Sequence, residues 1–150
     1  MESARESIVV RAHPAECFAV ATDFLHYPAW ASDVKEVVIE ERDDTGRPSV
    51  VTFRAGAFGR STSYTLRYDY TEAPEAIGWR LVEGDITSKL DGRYVFSAYG
   101  QDQTEVAYEL DAELVVPIPG FVKRRAESKI IHTALGDLKA RVETTVTSHT

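Results

Sequence analysis

Cysteine occurs once, at Cys17, and methionine only at the first position. A single thiol excludes an internal disulfide and any site built from several cysteines. Cations are also in deficit: 17 Lys and Arg stand against 24 Asp and Glu, a net charge of −7 with histidine neutral. That balance disfavours phosphate-rich partners, so no nucleic acid is expected. No apolar run approaches the roughly 20 residues of a membrane span, so no integral membrane segment is expected. The opening MESARESIVV lacks the apolar stretch of a secretory signal, which makes a cytoplasmic protein the expectation. The histidines, His13, His26, His132 and His149, show no metal-ligand spacing, and no metal or cofactor is expected. AGAFGRS carries two glycines around Phe58 but neither the lysine nor the strand–loop–helix setting of a phosphate loop. It reads as a hairpin connection, with Phe58 placed to flap over a pocket.

What is present is the composition of one soluble domain spanning residues 1–150, 43% hydrophobic and 27% charged, long enough to bury a single sizeable core. SIVVRA (Ser7 to Ala12) is β-branched and reads as a strand. His13-Pro14 then opens a helix, because proline suits the first helical position. PAECFAVATDFL places Cys17, Phe18, Ala21 and Phe24/Leu25 at helical spacing. Pro28 stops or restarts that helix, leaving room for a short second one. From Val34 the period becomes two. VKEVVIEERD, VVTFRA, STSYTLRYDY, AIGWRLVE, LDGRYVFSAY and TEVAYELDAEL read as six strands. The last alternates most cleanly, with Val106, Tyr108, Leu110, Ala112 and Leu114 set against Glu105, Glu109, Asp111 and Glu113. Arg93 is expected opposite Glu109 on the outer sheet face. From Phe121 to about Val142 there is no proline, and Ile131, Leu135, Leu138 and Val142 form one helical stripe.

Hairpin-sized connections imply an antiparallel sheet, and its apolar face needs cover. The C-terminal helix is the only element long enough to supply it. The expectation is an α+β fold: a curved seven-stranded antiparallel sheet around one long C-terminal helix, with two short helices after strand 1.

This order, with HPAECFAVATDFLHYPAWASDVKEVVI, YTLRYDY, GRYVF, TEVAYEL and VPIPGFVKRRAE, resembles the START-like (SRPBCC) superfamily of the helix-grip fold. Within it the chain resembles the polyketide cyclase/dehydrase and lipid-transport branch, common in actinobacteria. The resemblance covers nearly the whole chain. It implies the fold; function must be argued from the site, since this fold hosts binders, cyclases, hydrolases and chaperone-like proteins.

The inward set on the strands is Phe53, Tyr64, Tyr68, Trp79, Tyr94, Phe96 and Tyr108. Four carry a phenol and one an indole N–H, groups that need partners when buried. Each ring can be an ordinary core residue with its hydroxyl at a carbonyl or the sheet rim; the set as a whole fits an amphipathic ligand cavity. Tyr27, Pro28 and Trp30 lie, by the resemblance, at the short helices closing the open end of the grip. There Trp30 either caps a pocket or plugs the space beneath those helices. On the long helix, Arg124 and Glu127 fall near the stripe that Ile131 continues, three apart and able to pair. They either face the cavity as its polar end or stay wet on an overhang. KRRAESK, which contains both and is basic in an acidic protein, otherwise reads as a solvated helix face, with contact to an anionic lipid surface as the alternative. Cys17 reads as a small core residue.

Three functions compete. The first is binding, with transport or sequestration, of a small hydrophobic molecule, lipid-like or polyketide-like, in a cavity of a few hundred cubic ångströms or more between sheet and helix. The second is a polyketide cyclase or dehydratase, which also needs an acid or base aimed at the substrate; no catalytic residue is identified from sequence. The third is a protein-interaction module. A monomer or homodimer is compatible with all three.

Overall fold

The structure, a computed structural model, describes residues 4–57 and 60–147. In chain order the elements are β1 (Ala4–Val10), α1 (Pro14–Ala21), a 3₁₀ turn (Phe24–His26), α2 (Tyr27–Trp30), β2 (Val34–Arg42), β3 (Pro48–Ala57), β4 (Arg60–Asp69), β5 (Ala76–Gly84), β6 (Thr87–Ala98), β7 (Thr104–Leu114) and α3 (Gly120–Thr147). The strands form one sheet in the order β1-β7-β6-β5-β4-β3-β2. Every neighbouring pair is antiparallel. Strands β2 to β7 follow one another as a meander, while α1 and α2 carry the chain from β1 at one edge to β2 at the other. This is the helix-grip arrangement.

Local chemistry accounts for the boundaries. β1 begins at Ala4, earlier than the β-branched run suggests, because it pairs with β7 from Ala4–Leu110 to Val10–Thr104. At the start of α1 the His13 N–H donates to Glu16 Oε1 at 2.9 Å, and Pro14 occupies the first helical position, where its missing N–H removes nothing. Tyr27–Trp30 is a separate helical turn around Pro28. Between β2 and β3, Asp43 Oδ1 accepts from the Thr45 N–H, the Thr45 hydroxyl and the Arg47 N–H, and Gly46 takes φ +88°, which glycine tolerates without strain. The Thr45 hydroxyl, with Arg47, draws the Asp43 carboxyl down to about 2. On the outer face Arg93 lies opposite Glu109 as expected, with Nε 3.7 Å from Oε1.

α3 runs five residues beyond Val142, further than its apolar stripe suggests. Its last turns are tied down: Lys139 Nζ reaches Glu143 at 2.7 Å and the Val9 carbonyl at 2.8 Å, and Glu143 accepts the Arg11 N–H at 2.9 Å. The stripe Ile131, Leu135, Leu138 and Val142 is buried in one core cluster that also holds Val10, Val106, Leu110 and Cys17. α3 packs on β1, β7 and α1. It therefore covers the β1–β7 side of the sheet, while α1 reaches β6. Phe53, Tyr64, Tyr68 and Trp79 project from the part of the concave face, β3 to β5, that α3 leaves uncovered.

Candidate functional site

Between the concave face and α3 lies a cavity of about 180 Å³. This is of the order that admits a benzene-sized ring. It is smaller than the few hundred cubic ångströms expected from sequence, because large rings, not aliphatic side chains, occupy the uncovered face.

Eight of the sequence-predicted residues lie on its wall, six of them placed there by strand alternation. Phe53, Tyr64 and Tyr68 come from β3 and β4, and Trp79, Tyr94 and Tyr108 from β5 to β7. Trp30 from α2 and Glu127 from α3 complete the group. The rings brace one another. Tyr94 and Tyr108 meet edge-to-face at 4.7 Å and 80°, and both touch Trp79, at 5.6 and 5.4 Å. Phe53 stacks on Tyr64 at 5.5 Å. Trp79 lies over Gly92, where a Cβ would sit 2.7 Å from the indole and 2.5 Å from the Glu109 carbonyl; only glycine leaves the indole that seat. At the mouth, Tyr27 contacts Trp30 at 4.8 Å and donates its hydroxyl to the Ala21 carbonyl.

Three predicted residues lie elsewhere. Phe96 is buried and stacks behind Tyr94 at 5.8 Å, with the edge of Phe18 from α1 against it. Ile131 is fully buried in the packed core beneath α3. Arg124 is exposed, and the cation beside Glu127 is Lys123. A residue four positions away sits about 40° round a helix and one three away about 60° on the other side, so Lys123 turns inward and Arg124 outward. KRRAESK is thus not wholly a solvated face: Lys123 and Glu127 leave solvent for the cavity wall. Phe58, the suggested flap, lies outside the described residues. Cys17 is fully buried, and burial raises its thiol pKa, which fits a core residue.

The hydroxyls are the informative part of the lining. Among the described residues, those of Tyr64, Tyr68, Tyr94 and Tyr108 have no hydrogen-bond partner, in contrast to Tyr27 and Tyr70. Nor are they sealed in protein: among the described residues, the enclosed side-chain polar atoms without a hydrogen bond are Thr87 Oγ1 and Arg93 Nε. The four phenols therefore open onto the cavity. Burial pushes Tyr68, Tyr94 and Tyr108 well above the ordinary tyrosine range. Burial, with nearby Asp33, takes Tyr64 up to about 12. All four are neutral donors and acceptors at physiological pH.

The polar end has its own construction. Glu127 is 1% exposed. Its Oε2 accepts from Lys123 Nζ at 2.6 Å and from the Ala112 N–H of β7 at 2.8 Å. Lys123 also donates to Asp111 Oδ1 at 3.0 Å, and Asp111 meets Lys89 at 2.9 Å. Burial lowers the Lys123 pKa, but its hydrogen bonds to Glu127 and Asp111 more than offset this and leave it above the ordinary lysine value. Sequence reading missed Lys123, although its spacing from Glu127 was the available signal. It also missed Asp137, whose Oδ2 accepts from both the N–H and the hydroxyl of Ser32. No group of three or more potential metal ligands gathers among the described residues, and no described helix is long and apolar enough to cross a membrane.

A curved antiparallel sheet holding an aromatic cavity under one long helix defines the START-like class of ligand-binding folds. The chain belongs to the polyketide cyclase/dehydrase and lipid transport family, whose model matches residues 1–143. Among solved structures it is similar to a START superfamily protein from Mycobacterium smegmatis, at 26% identity and TM-score 0.92, over 97% of this chain and 99% of that one. The Zhui aromatase/cyclase from Streptomyces sp. R1128 shares the fold at 17% identity and TM-score 0.83, over 96% and 94% of the two chains. So does a protein from Thermus thermophilus, at 21% identity and TM-score 0.78, over 95% and 98%. Comparison with curated protein sequences gives no match.

Proposed function

We propose that this protein binds a small, mainly apolar ring compound in the cavity between the sheet and α3, as a carrier or sequestering protein. One observation carries the reading: four phenol hydroxyls open onto an aromatic cavity without protein partners. A hydroxyl that opens onto a cavity and bonds to no protein group adds nothing to the packing of the chain, so a core selected for stability alone favours Phe or Leu at such positions. Four tyrosines kept there point to a ligand that uses them. The test is native mass spectrometry of gently purified protein, repeated after denaturation. A discrete added mass that vanishes on denaturing supports the reading. A clean apo mass, together with failure to bind any apolar fluorescent probe, overturns it.

A cyclase or dehydratase is the second reading, favoured by Glu127, a carboxylate on the wall of a cavity whose neutral tyrosines can polarise a carbonyl. Turnover of a poly-ketone by purified protein would establish it. An interaction module is weaker, since it needs no cavity.

A further inference from the structure

The chemistry of the lining also narrows what the cavity accepts, on the reading that it is a binding site. Glu127 uses one carboxylate oxygen for both of its protein contacts, Lys123 Nζ and the Ala112 N–H. Its other oxygen, Oε1, has no partner among the described residues and is not enclosed by protein. Because Glu127 is 1% exposed and lines the cavity, that oxygen opens inward. It is an acceptor only. Its orientation is fixed from behind, since a strand N–H and a lysine hold the other oxygen.

Among the described residues, the lining has no charge to offer an anion. Its charged side chains are Lys123 against Asp33, Glu127 and Asp137, and Lys123 is already shared between Asp111 and Glu127. A carboxylate head entering beside Glu127 would meet a like charge in a site largely removed from water, where repulsion is poorly screened. The tyrosines accept either polarity and do not discriminate.

The geometry points to Glu127 as the specificity-determining residue of the cavity: its free oxygen accepts a hydrogen bond from a hydroxyl or other neutral donor on a one- or two-ring ligand, and the acidic lining rejects carboxylates such as fatty acids. The ligand is thereby a neutral, donor-bearing aromatic, and not an anionic lipid.

Three probes of one size test this: β-naphthol, its methyl ether, and β-naphthoate, titrated by calorimetry at neutral pH into wild type and Glu127→Gln. β-Naphthol is expected to bind about tenfold more tightly than the ether, the range of one hydrogen bond to a charged acceptor, with naphthoate weakest. In Glu127→Gln the amide oxygen can keep the Lys123 and Ala112 contacts while NH₂ faces the cavity. The naphthol advantage should then fall to about twofold or less, the ether should be unaffected, and naphthoate should gain. If β-naphthol and its ether bind equally to wild type, or naphthoate binds best, the inference fails while the cavity reading stands. If none of the three binds, both fail. The wild-type series decides the matter even if the variant does not fold.

Discussion

Ser32 and Asp137 are joined twice: the Ser32 N–H and hydroxyl both donate to Asp137 Oδ2, at 2.9 and 2.8 Å. This pair ties the segment after α2, which carries Trp30, to α3 across the cavity mouth. Asp137→Ala should free that segment with little effect on the sheet. We expect a stability loss of roughly 0.5–1.5 kcal/mol, faster amide exchange at Ser32, and faster release of any bound probe. Unchanged Ser32 exchange would show that the pair does not hold the mouth.

Gly92 sets the seat of Trp79. A methyl group there would lie 2.5 Å from the Glu109 carbonyl and 2.7 Å from the indole. Gly92→Ala must displace the ring or the strand, at a cost of about 1–3 kcal/mol as in other overpacked cores. Chemical denaturation measures the loss, and the tryptophan emission of the folded variant should shift. A variant as stable as wild type with the same emission would contradict the close packing.

The unpartnered phenols predict an asymmetry among Tyr→Phe variants. Tyr70 donates to the Pro48 carbonyl at 2.7 Å, so Tyr70→Phe should lose about 1 kcal/mol. Tyr94→Phe and Tyr108→Phe remove hydroxyls with no protein partner and should stay within about 0.5 kcal/mol of wild type. Both should weaken ligand binding a few-fold if the protein is a carrier, and abolish turnover if it is a cyclase. If neither binding nor activity changes in either variant, this face is not the site.

Alkaline pH should destabilise the protein through the same rings. Burial raises the folded pKa of Tyr64 from 10.0 to about 12, and lifts those of Tyr27, Tyr68, Tyr94 and Tyr108 well above the ordinary tyrosine value. The folded state thus holds protons that the unfolded state releases. The contribution is complete below pH of about 10 and is lost as pH rises through the folded values. Denaturation midpoints should be flat up to that pH and fall beyond it, and the fall should be shallower in Tyr94→Phe.

Much of this architecture is legible in the chain. The alternations of Tyr64–Leu66–Tyr68 and Val106–Tyr108–Leu110 mark the concave face, because a period of two needs no tertiary information. The stripe Ile131–Leu135–Leu138–Val142 likewise fixes the inner side of α3. Two matters are not local. Whether Lys123 or Arg124 turns toward Glu127 depends on where β7 meets the helix, and that is where Ala112 offers its N–H. The cavity's size depends on how far α3 leans toward β1, which no window of sequence contains. Phe96 shows the limit of periodicity: it shares the face of Tyr94, yet α1 covers it.

The one-sided seat of α3 gives that helix two duties. Ile131, Leu135, Leu138 and Val142 anchor it in the core, while Lys123, Glu127 and Asp137 face the chamber. The rings opposite are core and wall at once: Phe53, Trp79 and Tyr94 are buried and also line the chamber. A substitution that reshapes the chamber therefore also tests the fold, and the mildest way to change what it holds is to alter polar atoms, as Tyr→Phe does, and leave the rings in place.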